Sequence, residues 1–172
     1  MEKLLEAGYS TDTAIEMVNT ALFATGEDRN HPTLDVCEID LYSGECKLRK
    51  IGGAATFLKR EQEVEQLAEG SLPLGIFQQI VYKRQFQQID SQPLSRTLED
   101  GNYLFMVSDG VIDAFGEQEY ENTVSRLILE MKEQNPGELA DKLLRLALIA
   151  AKGHIRDDMT VGVIGIWETG FA

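Results

Sequence analysis

Residues 103–111 read YLFMVSDGV, an apolar stretch that runs directly into a Ser-Asp-Gly turn. The residues from Tyr103 to Val107 are all apolar, and a short unbroken run of this kind predicts a strand buried in the centre of a sheet. Asp109 follows the end of that strand, where the rigid backbone holds its carboxylate and Gly110 lets the chain turn away. The stretch therefore predicts both a central strand and an acidic residue fixed at its edge.

A second acidic motif, RDDMT at residues 156–160, comes immediately before the last predicted strand, residues 159–167. Hard divalent ions such as Mg²⁺ and Mn²⁺ bind carboxylate oxygens that are held rigidly, and strand ends supply that rigidity. Each motif alone has an ordinary structural explanation, because Asp-Gly is a common turn signal and Asp-Asp before a strand is usually an exposed loop. Asp109 and Asp157 together predict a shared site for a divalent ion, with carboxylates a few ångströms apart.

The rest of the sequence alternates between helical and strand-like patterns. Apolar residues at helical spacing predict a helix that ends at Gly26, a second helix over residues 120–133, and a third that begins at Asn135. Strand patterns lie at residues 34–50, which form a hairpin, and at residues 55–60, 80–89 and 159–167. No repeat or linker divides the chain, so we predict one α+β domain.

The composition is that of an acidic globular domain. The chain has 172 residues, 43% of them hydrophobic, and its 16 basic and 29 acidic residues give a formal net charge of −13. Such a surface repels nucleic acids and anionic membranes and attracts divalent cations. No stretch reaches the ~18 apolar residues of a membrane span, and the first residues lack the features of a signal peptide. We therefore expect an intracellular chain with no nucleic-acid partner.

The two cysteines lie on either side of the predicted hairpin turn. A two-residue turn at residues 43–44 places Cys46 opposite Leu41. Cys37 lies four residues further along that strand, about 13 Å away at the rise per residue of a strand, which exceeds the reach of a disulfide. Two cysteines without a CxxC pair also make a poor zinc site, so we expect free thiols that are buried or half-buried.

The sequence offers no obvious catalytic nucleophile. His31 lies in a loop beside a proline, and His154 follows a predicted helix end, where a histidine more often complements the helix dipole than acts as a base. The sequence contains no nucleophile elbow, phosphate-binding loop or dinucleotide-binding fingerprint. The pair Gly52-Gly53 follows a strand without a helix behind it, so a bulge or a close backbone approach explains it better than a phosphate site.

Four short motifs occur in order along the chain: DLYSG at residues 40–44, KIGGA at 50–54, LFMVSDGV at 104–111 and RDDMTV at 156–161. Together they resemble the metal-dependent protein phosphatase family of the phosphatase 2C type. The chain is most similar to the bacterial branch of that family, which acts on anti-sigma-factor antagonists, and in particular to its sporulation members. The resemblance covers essentially the whole chain. It implies an α/β/β/α sandwich of two antiparallel sheets covered by helix pairs.

The resemblance implies a role for each matching residue. Asp109 matches the metal-binding aspartate of the Ser-Asp-Gly motif, and Asp157 matches the metal-binding aspartate that opens the Asp-Asn/Asp-x-Thr motif. Asp158 stands where asparagine is frequent in the family, so we expect it to support the ligands without binding the ion itself. Gly110 is implied to have a conformational role, and the glycine pair at residues 52–53 matches a strand end close to the catalytic centre.

One family motif has no match in the chain. Members of the family carry an Asp-Gly-x-Gly motif near the N-terminus, whose aspartate bridges two metal ions, and nothing of this pattern precedes Leu4. We therefore expect residues 1–172 to be the C-terminal portion of a single phosphatase 2C-like domain, truncated at its N-terminus. We expect such a fragment to be inactive and to form a homodimer through strand edges that the truncation leaves unpaired.

For the intact domain, the resemblance implies a protein serine/threonine phosphatase in which two Mn²⁺ or Mg²⁺ ions activate water. The implied substrate is a phosphorylated anti-sigma-factor antagonist in sporulation. The implied location is cytoplasmic, in a parent protein that reaches the membrane only through upstream regions. An alternative is a non-catalytic module that keeps the fold and binds a partner protein, and a bridging aspartate upstream would favour the enzyme. An acidic cation buffer is a weaker alternative, because EF-hand spacing is absent.

Overall fold

The secondary structure was obtained from a computed structural model, which describes residues 1–25, 31–68, 72–75, 93–116 and 120–168. Within these ranges the helices are Glu2–Glu6 (α1), Thr11–Thr25 (α2), Asp109–Asp113 (α3), Tyr120–Glu130 (α4) and Pro136–Ala150 (α5). The strands are Leu34–Ile39 (β1), Glu45–Ile51 (β2), Thr56–Lys59 (β3), Val64–Leu67 (β4), Leu94–Thr97 (β5), Tyr103–Val107 (β6) and Val161–Gly165 (β7). The strand predicted at residues 80–89 lies outside the described residues.

The strands form two sheets, and with the helices they confirm the predicted α+β class. One sheet has the order β1-β2-β5 and the other has the order β4-β3-β6-β7. In the second sheet every pairing is antiparallel, and Phe105 of β6 lies between Phe57 of β3 and Val163 of β7. All but one of the residues of β6 are buried. The prediction of a buried central strand from its apolar run is therefore confirmed.

The chain divides into two compact units, the first of which comprises the described residues of 1–36, 48–52 and 69–93. Its core places Ile15 of α2 against Ile51 and Leu74, with Val18 and Leu22 packed around them. Of the apolar face that helical spacing predicts for α2, residues 14, 15, 18, 21 and 22, all but the exposed Ala21 are buried or half-buried.

Two consecutive cations of β2 are buried in this first unit. Arg49 Nε donates to Asp12 Oδ1 at 2.5 Å, and Lys50 Nζ donates to Asp35 Oδ2 at 2.5 Å. The sequence gives no sign of this burial, because charged residues in strands are normally exposed. A buried cation is retained when an acidic partner accompanies it, and here each has one.

The second unit comprises residues 37–47, 53–68 and the described residues from 94 onward. Helices α4 and α5 pack on the four-stranded sheet, and the fully buried core between them includes Phe57, Phe105, Val124, Ile128, Leu139, Leu143 and Ala147. Helix α5 begins as the sequence predicts: Asn135 Oδ1 accepts hydrogen bonds from the N–H groups of Gly137 (2.8 Å) and Glu138 (3.3 Å).

Helix α4 ends at Glu130, earlier than the predicted end at residue 133. The buried ammonium group of Lys59 donates to the carbonyl oxygens of Ile128, Leu129 and Met131, at 2.9 to 3.1 Å. Burial lowers the pKa of Lys59. A strand lysine thus satisfies the carbonyls that a helix leaves open at its C-terminus, which ends α4 within the core.

The hairpin of β1 and β2 differs from its prediction in the turn. Its loop spans residues 40–44, and the N–H of Asp40 donates to the carbonyl of Glu45 at 2.8 Å. This register brings the Sγ atoms of Cys37 and Cys46 to 3.4 Å from each other. The predicted separation of about 13 Å is therefore wrong, because it assumed a two-residue turn. Both thiols are free, as predicted, with Cys46 buried and Cys37 half-buried.

Strands β4 and β5 have no counterpart among the predictions. Glu65 of β4 accepts hydrogen bonds from Arg96 of β5 at 2.5 and 2.7 Å. Both strands have only four residues, too few for a clear alternation of apolar and polar side chains.

No helix in the described ranges has the length and apolarity needed to cross a membrane.

Candidate metal centre

The antiparallel pairing of β6 with β7 brings the two acidic motifs together. Val107, the last residue of β6, lies opposite Val161, the first residue of β7. The residue after one strand therefore faces the residue before the other, and the N–H of Ser108 donates to the carbonyl of Thr160 at 3.0 Å. Segments about fifty residues apart in the sequence meet because of strand pairing, as their position at strand ends predicts.

The side chain of Ser108 fastens the two loops to each other. Its hydroxyl donates to the carbonyl oxygen of Asp158 at 2.9 Å and accepts from the N–H of Thr160 at 2.9 Å. Sequence reasoning assigned no role to Ser108, and the residue type alone does not reveal one. The contacts of the Ser108 hydroxyl depend on the pairing of β6 with β7. We call the contact between residues 108–110 and 157–160 the acidic junction.

The acidic junction requires glycine at position 110, because there is no space for a side chain between the two loops. A Cβ atom at this position would lie 2.5 Å from the carbonyl oxygen of Asp158 and 2.8 Å from that of Asp157. Those distances are shorter than van der Waals contact, so any side chain would separate the two loops. The glycine thus permits a close approach of two backbones, which is the conformational role that the resemblance implies.

Three aspartates, Asp109, Asp157 and Asp158, flank the acidic junction with exposed side chains. Asp109 is the first residue of α3. Asp157 Oδ1 accepts from the N–H of Asp158 at 2.8 Å, which orients the Asp157 carboxylate. Within the described ranges, no hydrogen bond ends on the carboxylate of Asp109. Carboxylate oxygens at Asp109 and Asp157 are therefore available to a ligand.

The donor chemistry of the acidic junction suits a hard divalent cation. Aspartate oxygens are the preferred protein ligands of Mg²⁺ and Mn²⁺, and strand pairing with Ser108 holds their backbone in place. In the part of the chain that the structure describes, no three acidic, histidine or cysteine side chains form a ready-made cage. Water or other ligands would complete the coordination, as is usual for Mg²⁺.

The glycine pair at residues 52–53 has a different local setting. Gly52 has a φ of +70°, and a Cβ there would lie 2.7 to 2.8 Å from atoms of Pro73. Of the two explanations that the sequence leaves open, the close backbone approach is therefore confirmed for Gly52. The nearness of Gly52 and Gly53 to a catalytic centre stays a prediction.

Comparison with known proteins decides the family. Residues 1–167 match the protein family described as Stage II sporulation protein E (SpoIIE). The chain belongs to this family. The stage II sporulation protein E of Bacillus subtilis (strain 168) is 33% identical over an alignment of 169 residues, and the match covers 96% of this chain and 19% of that protein. The chain thus spans about a fifth of the length of this curated SpoIIE relative.

Solved structures of SpoIIE agree with the fold. The PP2C phosphatase domain of B. subtilis SpoIIE, solved with a fragment of its regulatory domain, has a TM-score of 0.82 and 32% identity. The match covers 96% of this chain and 47% of that one. The same phosphatase domain, presoaked with Mn, has a TM-score of 0.71 and 28% identity, covering 99% of this chain and 73% of that one. The predicted resemblance and the phosphatase 2C-like sandwich are both confirmed.

Proposed function

We propose that residues 1–172 are the C-terminal portion of a single phosphatase 2C-like domain that hydrolyses phosphoserine or phosphothreonine in a protein. The observation that carries this proposal is the acidic junction, in which Ser108 ties the loop of Asp109 to the loop that follows Asp157. Membership of the SpoIIE family and similarity to its solved phosphatase domains support the same activity.

In this proposal Asp109 and Asp157 hold Mn²⁺ or Mg²⁺, with two ions in the complete domain. When bound, such ions lower the pKa of a water molecule and neutralise the oxygens of the phosphoryl group. Asp158 supports the ligands through its backbone, because its N–H orients Asp157 and its carbonyl accepts from Ser108. Gly110 lets the two loops touch. The manganese-presoaked SpoIIE domain supports the choice of ion.

Water as the nucleophile agrees with the side chains of the described residues. In the described ranges, neither His31 nor His154 forms a side-chain hydrogen bond with a serine or cysteine, the contact that would activate such a nucleophile. Cys46 is buried, and its Sγ contacts that of Cys37. The proposed role of Gly52 and Gly53 is to shape a strand end near the reacting groups.

We further propose that the substrate is a phosphorylated anti-sigma-factor antagonist in sporulation. The net charge of −13 supports a protein partner over a nucleic acid. The domain would face the cytoplasm, in a parent protein that reaches the membrane only through its upstream regions. Taken alone, the chain is proposed to be inactive for lack of a bridging ligand, and to form a homodimer through its sheet edges.

Phosphate release tests the proposed activity. The full-length protein, incubated with a phosphoserine protein and Mn²⁺, should release inorganic phosphate, and EDTA should stop the release. Residues 1–172 alone should release little phosphate and bind Mn²⁺ weakly. Binding of a partner protein without metal-dependent phosphate release from the full-length protein would contradict the enzyme and favour the non-catalytic module.

A further inference from the structure

A cleft of about 430 Å³ opens beside the acidic junction. Gly110, at which a Cβ atom would meet the carbonyls of Asp157 and Asp158, lines the cleft together with Asp113 of α3, Ala151 after the end of α5, His154 and Arg156. A volume of this size is typical of clefts that bind ligands. The cleft therefore offers space for groups that neighbour whatever binds at the acidic junction.

One wall of the cleft is cationic in an acidic protein. Residues 152–156 read KGHIR, with the charged bases Lys152 and Arg156 and no acid, in a chain whose net charge is −13 when histidine is counted as neutral. His154 and Arg156 have exposed side chains. Neither side chain forms a hydrogen bond or ion pair within the described ranges. Asp113 lines the cleft from α3, so the positive charge of the lining lies at Arg156, in the wall formed by residues 154–156.

The backbone of this wall is held in place. Lys152 and Gly153 have φ values of 49° and 81°, and Lys152 is the one described residue other than glycine with a positive φ. The N–H of His154 donates to the carbonyl of Ala151 at 2.8 Å. A lysine rarely adopts the left-handed region, because its Cβ crowds the backbone. Left-handed residues of this kind commonly end a helix, and here they turn the chain after α5 toward His154.

Exposed apolar side chains adjoin the cationic residues in the sequence. Ile149 is 71% exposed and Ile155 is 57% exposed. Large apolar side chains beside an arginine are typical of protein-binding surfaces, whereas a site for a free anion needs only charge and hydrogen-bond donors. The composition of the segment therefore favours a protein partner over a free anion.

We propose that His154 and Arg156 form a docking site for acidic residues that flank the phosphoserine of the protein substrate. The inference rests on the proposed function. Gly110 belongs to both the acidic junction and the lining of the cleft, so residues beside a phosphoserine at the junction can enter the cleft. Acidic residues there meet the cationic wall, and apolar groups of the partner meet Ile149 and Ile155. The surface thus selects substrates by the charge around the phosphoserine.

Two short phosphoserine peptides test the docking site in the full-length protein with Mn²⁺. The peptides differ only in having glutamates or glutamines on both sides of the phosphoserine. Wild-type protein should dephosphorylate the glutamate peptide with a kcat/KM about fivefold higher, since exposed ion pairs are individually weak. Arg156→Gln should bring this ratio to about one, and Arg156→Glu should bring it below one. Comparing two peptides within each variant cancels any change in the metal centre.

Arg126→Glu provides the matched control, because Arg126 is an exposed arginine of α4 that does not line the cleft. This variant makes the same charge change and should keep the wild-type ratio. The preference should also shrink as salt is added, because exposed charges are screened. A ratio near one in wild-type protein, or an equal change in Arg126→Glu and Arg156→Glu, would overturn the docking site.

Binding provides a second measurement that does not depend on turnover. Fluorescence anisotropy of labelled peptides with a non-hydrolysable phosphonate in place of the phosphate should show tighter binding of the glutamate peptide, lost in Arg156→Gln. If neither phosphopeptide is dephosphorylated but this preference is present, the proposed function fails and the docking site stands. If both phosphopeptides are dephosphorylated equally well and bind equally well, the docking site fails and the proposed function stands.

Discussion

Two aspartates near strand ends, Asp40 in the β1–β2 hairpin and Asp109 after β6, have carboxylates in opposite situations. Asp40 Oδ1 accepts from the N–H groups of Tyr42 at 2.8 Å and Ser43 at 3.1 Å. Those backbone hydrogen bonds lower the pKa of Asp40. The carboxylate of Asp40 is thus occupied in shaping the hairpin turn, as is common for aspartate in turns.

At Asp109 the loop is fixed by other groups. Strand pairing and the hydroxyl of Ser108 hold the backbone, and Gly110 permits the close contact with the second loop. No described residue donates a hydrogen bond to the Asp109 carboxylate. An acidic loop is therefore a candidate metal site when other groups hold its backbone and leave its carboxylate available.

The largest expected difference between the two aspartates is in activity. In the full-length protein, Asp109→Asn or Asp157→Asn should reduce Mn²⁺-dependent phosphate release by more than the roughly 10- to 100-fold that loss of a supporting residue costs a metal site. Asp40→Asn should leave the rate within about twofold, because a hairpin carboxylate that shapes a turn has no ligand to hold. Initial rates at saturating Mn²⁺ measure all three variants.

Asp158 provides the control for the assignment within the second motif. Asp158→Asn should reduce the rate less than Asp157→Asn, because Asp158 acts through its backbone groups, which asparagine retains. The opposite order would show that the ligand is Asp158 and that the assignment is wrong by one residue.

The next effect concerns the space between the loops. Gly110→Ala should lower the free energy of unfolding by about 1–3 kcal/mol, because its Cβ would overlap two carbonyl groups, and it should also weaken Mn²⁺ binding. Gly101→Ala serves as the control, because Gly101 has a φ of +76° but open space around it. It should cost about 1–2 kcal/mol of backbone strain and leave Mn²⁺ binding unchanged. Urea unfolding and Mn²⁺ titration measure both quantities, and unchanged Mn²⁺ binding in Gly110→Ala would contradict the account.

A smaller effect is expected from the hydroxyl that joins the loops. Ser108→Ala removes two hydrogen bonds and should cost about 1–2 kcal/mol of stability, with metal binding weakened about tenfold. Ser43→Ala is the matched change in the hairpin, where the hydroxyl accepts from the N–H of Glu45 at 3.2 Å. It should leave Mn²⁺ affinity unchanged. Equal Mn²⁺ affinities of the two serine variants in calorimetric titration would remove the distinction between the regions.

The sequence predicted the parts of this account that depend on local patterns. The apolar run of residues 103–107 predicted the central strand, and the position of both acidic motifs at strand ends predicted that their backbones meet. The approach of the Asp109 and Asp157 carboxylates to within a few ångströms stays a prediction. The role of Ser108 and the 3.4 Å contact between Cys37 and Cys46 depend on strand register, which a five-residue loop changed in the hairpin. The cationic wall of the cleft lacked a periodic signal, because it lies in a loop whose conformation depends on left-handed backbone at Lys152 and its neighbour.

The smallest expected effect is the pH dependence of the hairpin. The pKa of Asp40 is lowered in the folded chain, so its carboxylate stabilises the fold above the unfolded pKa of about 3.9, and this stabilisation is lost as the pH falls through the folded pKa. Wild-type chain should therefore lose more stability than Asp40→Asn below about pH 4. Urea unfolding at mildly acidic and strongly acidic pH measures the difference. Equal losses would show that the hydrogen bonds of Asp40 do not affect stability.

Paramagnetic line broadening by Mn²⁺ tests the acidic junction most directly. In an amide NMR spectrum of the chain, substoichiometric Mn²⁺ should broaden the N–H signals of both loops together, those of Ser108 and Gly110 with those of Asp158 and Thr160. The signals of the hairpin loop, residues 40–44, should stay sharp, because its aspartate is already occupied. Broadening of one loop without the other, or of the hairpin before either, would contradict a shared metal centre.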